Sequence, residues 1–177
     1  MSLVLRTHEA DGIRSRALYS PCMNYRYRLE RHRRGGRGTL LYIMLNPSTA
    51  TEAGDDPTVA RCARRAERLG FGGFVVCNIF AWRETAPARL KRVADPVGPM
   101  NDAVLVEAAR AADLVLCAWG VHGAHRGRGP AVARMLREAG IRLHHLGLTR
   151  NGHPRHPLYL PYDLPPRPWR TDDGKGA

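Results

Sequence analysis

Leu40-Leu41-Tyr42-Ile43-Met44-Leu45-Asn46-Pro47 is a run of six apolar residues that ends abruptly in an amide and a proline. The run is too short for a stable helix, and its lack of polar alternation reads as a strand covered on both faces. Proline cannot donate to a ladder, so the strand stops there. The same grammar recurs at Phe74-Val75-Val76-Cys77-Asn78, at Leu114-Val115-Leu116-Cys117-Ala118-Trp119 and across residues 141–148. Helical patterns lie between these runs. Asp55-Asp56-Pro57 supplies an acidic cap with proline at the first helical position, and Val59, Cys62, Ala63, Ala66 and Leu69 follow at helical spacing up to Gly70. Asn101 or Asp102 is the expected cap of a second helix, and Pro130 opens a third that ends near Gly140.

Apolar strands alternating with amphipathic helices imply an α/β protein. The expected architecture is a three-layer α/β/α sandwich around a central, mainly parallel four-stranded sheet, with an extra strand from an N-terminal β-hairpin. The hairpin is read from the alternation of residues 25–32, the glycine-rich turn at residues 33–38 and the return strand to residue 45. A single domain over residues 1–177 is expected, with its core in residues 40–160 and a proline-rich tail, 161–177, wrapping the surface.

Charge narrows the partners. Lys and Arg number 28 against 16 Asp and Glu, a formal charge of +12 that attracts polyanions, phosphate backbones first among them. An arginine-rich composition without such a role is the plainer reading. No apolar segment suits a signal peptide or a membrane span, so a cytoplasmic protein with no membrane partner is expected. Cys22, Cys62, Cys77 and Cys117 form no CxxC pair and read as reduced thiols. His144 and His145 are neighbours on a strand and point to opposite faces, so neither a metal nor any other cofactor is expected.

In open parallel sheets ligands bind beyond the carboxyl ends of the strands. There the sequence supplies Asn46-Pro47-Ser48, then Asn78 with Phe80 and Trp82, then Trp119-Gly120 with His122, His125, Arg126 and Arg128. Last comes His153-Pro154-Arg155-His156-Pro157-Leu158. Plainer readings stand beside each: a strand-ending turn for Asn46, a loop cap for Asn78, core packing for Phe80 and Trp82, helix caps for Asp55 and Asp56.

The order of these motifs resembles the uracil-DNA glycosylase superfamily. Asn46-Pro47-Ser48 is similar to its water-positioning motif, Asn78 to the end of its base-reading strand, Trp119-Gly120 to its third core strand, and the 153–158 loop to its C-terminal H-P-x-P-L loop with one residue inserted. The chain departs at Met44, where that motif carries glycine, and no carboxylate follows Asn46 within the motif. Met44-Leu45-Asn46-Pro47-Ser48-Thr49-Ala50, with Asp55-Asp56-Pro57-Thr58 and the 152–158 loop, also resembles a family catalogued as a domain of unknown function.

The superfamily resemblance implies a monofunctional DNA glycosylase of base-excision repair, acting as a monomer on single- or double-stranded DNA that contains a modified base such as uracil or xanthine. It implies that Asn46 orients water, that His153 or His156 stabilises the departing base, and that Asn78, Ser48, Phe80 and Trp82 hold the flipped base. Leu158 would wedge into the vacated stack, and Arg155, Arg126 and Arg128 would meet DNA. Two alternatives stay open: a non-catalytic nucleic-acid-binding module of the same fold, and a nucleoside or nucleotide N-glycosidase.

Overall fold

The computed structural model describes residues 2–170. Eight strands form one mixed sheet: β1 (Val4–Ala10), β2 (Ile13–Tyr19), β3 (Arg26–Arg33), β4 (Thr39–Met44), β5 (Gly73–Asn78), β6 (Leu114–Cys117), β7 (Leu143–His145) and β8 (Arg167–Pro168), in the order β1-β2-β3-β5-β4-β6-β7-β8. The α/β class stands. The expected central four-stranded sheet is corrected: the sheet is eight strands wide, and antiparallel pairs β1–β2, β2–β3, β3–β5 and β7–β8 flank a parallel run β5-β4-β6-β7. Of the proposed tail, residues 161–170 cross α1 (Pro57–Arg68) and supply β8, whereas 171–177 lie outside the described residues.

The N-terminal hairpin of residues 25–45 is also corrected. β3 and β4 do not pair, because β5 lies between them, antiparallel to β3 and parallel to β4. Proximity in sequence suggests the pairing, but the turn is long and glycine-rich, and the start of β5 threads beneath it. Arg33 N–H donates to the Gly72 carbonyl at 2.9 Å, and Gly72 N–H donates to the Arg37 carbonyl at 2.7 Å. A Cβ on Gly72 would stand 2.5 Å from the Gly36 Cα, so the two backbones meet only because both residues are glycine.

The true hairpin precedes it. β1 and β2 pair from Val4↔Tyr19 to Ala10↔Ile13 around Asp11-Gly12, whose φ values of 53° and 73° are those of a two-residue type I′ turn. Their charged, largely exposed residues hide the strand pattern, and Asp11-Gly12 was the local signal for it.

Helices cover both faces of the sheet. On one, Val59, Cys62 and Ala66 of α1 pack on Leu40, Tyr42, Phe74, Val76 and Leu116. Asp56 caps α1 by accepting from the Val59 N–H at 2.9 Å, as its sequence implies. A short α2 (Pro87–Leu90) follows β5. On the other face α3 (Asn101–Ala111) and α4 (Arg128–Glu138) set Leu105, Ala108, Val132 and Leu136 against Leu41, Ile43, Cys77 and Val115. Each fully buried Leu, Ile or Val among them stabilises the fold by about 1.5–3 kcal/mol. Asn101 does not cap α3. Its buried Nδ2 donates to the carbonyls of Asn78 at 2.9 Å and Ile79 at 3.1 Å, tying the helix to the end of β5.

The glycine contact is testable. Gly72→Ala is expected to destabilise the protein by about 2 kcal/mol or more, while Gly54→Ala, open to solvent with nothing within 4 Å of its Cβ, stays within about 0.5 kcal/mol of wild type. Urea unfolding of both variants measures this.

Candidate functional site

Three adjacent parallel strands, β5, β4 and β6, end together, and the loops that leave them enclose a cavity of about 410 Å³. Asn46 and Ser48 enter from beyond β4, Asn78 ends β5, Trp119 and Gly120 extend β6, and His156 and Leu158 arrive from the loop after β7. The volume suits a small planar ligand, since pockets for such ligands run from about 300 to 1,000 Å³.

Asn46 is rigidly oriented. Its Nδ2 donates to the Glu84 carbonyl at 2.5 Å and to the Pro47 carbonyl at 3.1 Å. Both amide protons are thereby engaged, and Oδ1 is the end left to accept a hydrogen bond. Asn78 differs: it is 2% exposed, and its Oδ1 is buried without a partner among the described residues. A buried polar atom left unpaired costs about 1–3 kcal/mol, which a fold retains where a ligand supplies the missing partner. Its main chain is held still by Asn101.

His156 is fixed as a particular tautomer. Nδ1 accepts from the Leu158 N–H at 3.2 Å, so in the neutral ring Nε2 carries the proton. Burial lowers its pKa below the ordinary imidazole range, and Asp56 pulls weakly the other way. The cavity therefore holds a neutral imidazole with one N–H to offer. Of the two histidines left open by the sequence, the structure brings His156 to the cavity. His153 stays in the turn behind it, its N–H bonded to Thr149 Oγ1 and its carbonyl to the Thr149 N–H.

Several expected site residues lie elsewhere. Phe80 is fully buried in the core beside His125, with ring centroids 5.7 Å apart, and Trp82 packs edge-on against Tyr25 at 5.3 Å. Arg126 commits its guanidinium to the Val93 and Ala94 carbonyls, each at 3.0 Å. Arg128 donates to the Ile79 carbonyl at 2.8 Å and pairs with Asp102. Both arginines brace loops. Arg155 is exposed and its guanidinium makes no hydrogen bond or ion pair among the described residues.

Asp56, read from the sequence as a helix cap with a water-activating role as the sharper alternative, lines the cavity, and so does Glu84, which sequence reasoning missed. Asp56 is engaged through Oδ1 with Val59 N–H and through Oδ2 with Ala50 N–H. Glu84 accepts from Arg89 and from the N–H groups of Thr85 and Ala86, and the Arg89 guanidinium, followed by those amides, brings its pKa down to about 2. Arg26 lines the cavity from the start of β3. Trp119 contributes one aromatic wall, its ring seated where Gly129 leaves room, since a Cβ there would lie 2.6 Å from Nε1. Val121, which lines the cavity, is exposed, and so is Tyr159, the residue after the cavity-lining Leu158, at 90%. Motif order could not find Arg26, whose strand reads as any half-charged edge strand; Tyr159 follows directly on the 153–158 loop and was within reach.

All four cysteines are free thiols, and Cys22 is exposed. Cys62, Cys77 and Cys117 are buried, and desolvation pushes all three thiols up, Cys77 to about 12. Among the described residues no helix is long and apolar enough to cross a membrane.

Residues 26–158 match the family described as Protein of unknown function (DUF1643). The match covers well over half of the chain, so the chain belongs to this family, and its bounds run from Arg26 to Leu158, both cavity residues. Neither the curated proteins nor the solved structures return a match.

A histidine held neutral makes folding pH-dependent. Because the folded value of His156 lies below its unfolded value of about 6.5, stability is full above that value and is lost as pH falls through the lowered one. His122 and His125 are shifted the same way by burial and act with it. Thermal melts are expected to drop between about pH 7 and 5, around the ordinary imidazole pKa, and to drop less steeply in His156→Gln. Superimposable slopes would show that His156 protonates freely in the fold.

Proposed function

We propose that this member of the DUF1643 family is an N-glycosidase that removes a deaminated or damaged base from DNA, with the cavity at the carboxyl edge of β4, β5 and β6 as its base pocket. The observation that carries this reading is the convergence of Asn46, Asn78 and His156, drawn from a strand end and two loops, with the Asn78 amide oxygen buried and unpaired among the described residues. The same residues carry the resemblance to the uracil-DNA glycosylase superfamily.

Each residue has a role suited to its geometry. Asn46 Oδ1 accepts a hydrogen bond from the attacking water and aims it at C1′. Asn78 pairs with the edge of the flipped base, an amide being able to match a lactam. His156, neutral and fixed with its proton on Nε2, donates to an oxygen of the departing base, where negative charge develops. Leu158 and the exposed Tyr159 fill the space that the base leaves, and Arg155 meets a phosphate. Glu84 is ionised, yet a carboxylate with a pKa of about 2 is a feeble base. In this reading catalysis rests chiefly on leaving-group stabilisation.

The commitment of Arg126 and Arg128 to internal carbonyls favours a second reading, in which the pocket serves a free nucleoside or nucleotide and DNA is not required. Salt separates the two. Excision from DNA slows steeply as salt rises, whereas hydrolysis of a free nucleoside scarcely responds.

The decisive assay uses oligonucleotides carrying uracil, xanthine, hypoxanthine or hydroxymethyluracil, scored for alkali-labile abasic sites. Excision of at least one is expected, falling about 10²-fold or more in Asn46→Ala and in His156→Gln. Salt-sensitive binding without any abasic product would instead identify a non-catalytic module. Arg155→Ala is expected to weaken binding to every sequence alike and to reduce the salt slope by about 1, and Arg126→Ala to leave that slope unchanged.

A further inference from the structure

A buried charge needs a partner, and Arg26 has little of one within the protein. It is 2% exposed and opens β3, where its main-chain N–H donates to the Ala81 carbonyl at 2.9 Å. The guanidinium donates through Nη1 to the Ala50 carbonyl at 2.7 Å, while Nε is buried with no acceptor. Among the described residues no carboxylate is within ion-pair distance of it. Tyr19 and then Asp56 favour its charged form, but the Tyr19 hydroxyl is bonded to Glu52, both Asp56 oxygens already accept backbone N–H groups, and Arg83 and Arg31 add positive charge. Burial draws its pKa down to about 10, which leaves it cationic at neutral pH.

An isolated buried cation is costly unless something anionic answers it. Arg26 lines the same cavity as Asn78, whose Oδ1 is likewise unpaired. β3 runs antiparallel to β5, and Arg26 is bonded to Ala81, three residues past Asn78 on the segment that leaves β5. One cation and one amide lining one cavity match an anion delocalised over a ring nitrogen and its flanking carbonyl oxygens.

We propose that Arg26 is a further catalytic residue of this cavity, the cation that takes up the negative charge of the departing base. The site then selects imide and lactam bases that leave as anions, uracil and xanthine among them, over bases that must be protonated to leave. This inference rests on the glycosidase reading. In the reaction the C1′–N bond breaks with its electron pair on the base nitrogen, and the water oxygen bonds to C1′ and yields a proton to solvent. The base anion takes up a proton after release. One water is consumed and nothing is oxidised. Asp56 is engaged and Glu84 is weakly basic, and a fixed cation that is itself buried acts on the leaving-group side with little screening.

Single-turnover excision of uracil and 5-fluorouracil tests the proposal, the two bases sharing a shape while the second is the more acidic leaving group. Arg26→Gln is expected to slow uracil release about 10²–10³-fold and 5-fluorouracil release by about tenfold less, with partial rescue in Arg26→Lys. Equal losses on both bases would mean that Arg26 only supports the fold, and would overturn the proposal. Binding of free 5-fluorouracil, followed by NMR across the ionisation of that base, needs no turnover. Wild type and Asn46→Ala should bind more tightly as the ligand becomes an anion, and Arg26→Gln should not. Wild-type binding that fails to tighten overturns the proposal without recourse to any variant. Anion binding through Arg26 with no excision of any base would instead sink the glycosidase reading and leave the anion site standing.

Discussion

The molecule depends on the close approach of Gly36 to Gly72, which lets β5 slide between two strands that are neighbours in the chain. Had β3 and β4 paired as a hairpin, Asn78 would lie on the far side of β4 from Arg26. With β5 inserted, the cavity is assembled from left to right across the sheet as Arg26, Asn78, Asn46 and then Trp119-Gly120, with His156 closing over the end. The contact is made of backbone alone. It tolerates no side chain, and it sets the strand order.

The second constraint is electrostatic. Acidic side chains at the cavity are occupied before any ligand arrives: Asp56 caps α1 and holds the Ala50 N–H, and Glu84 is bound by Arg89 and two backbone amides. Groups left with unused capacity include the Asn46 and Asn78 carbonyl oxygens, the His156 Nε2–H and the Arg26 guanidinium. Such donors suit a pocket that receives negative charge on a ligand. Preorganised donors of this kind act most strongly where solvent is excluded.

Residues that resemble site residues in the sequence divide sharply once folded. Arg126, Arg128 and Phe80 follow strands at the right edge, yet each is consumed by structure. The arginines satisfy carbonyls that irregular loops leave unpaired, and Phe80 fills the core between the sheet and the 121–127 segment. Local sequence cannot distinguish an arginine that meets a phosphate from one that meets a carbonyl, because both stand on loops and both are charged. Tyr159, in contrast, is exposed and follows directly on the cavity-lining Leu158.

Local chemistry was legible in the chain itself. The apolar runs at 40–45, 74–78 and 114–119 specify buried strands, Asp56-Pro57 specifies the start of α1, and Asn46, Asn78 and the 153–158 loop mark the edge where a ligand would sit. These come from hydrophobic period and backbone restriction, which act over a few residues. Pairing between distant segments was decided only by tertiary structure: the order β3-β5-β4, the charged hairpin β1–β2 at the edge, and the choice of His156 over His153. Arg26 belongs to the same class. Nothing near it in sequence marks it as buried, and its isolation exists only because β5, the 46–56 segment and α1 close around a charge that, among the described residues, no carboxylate pairs with.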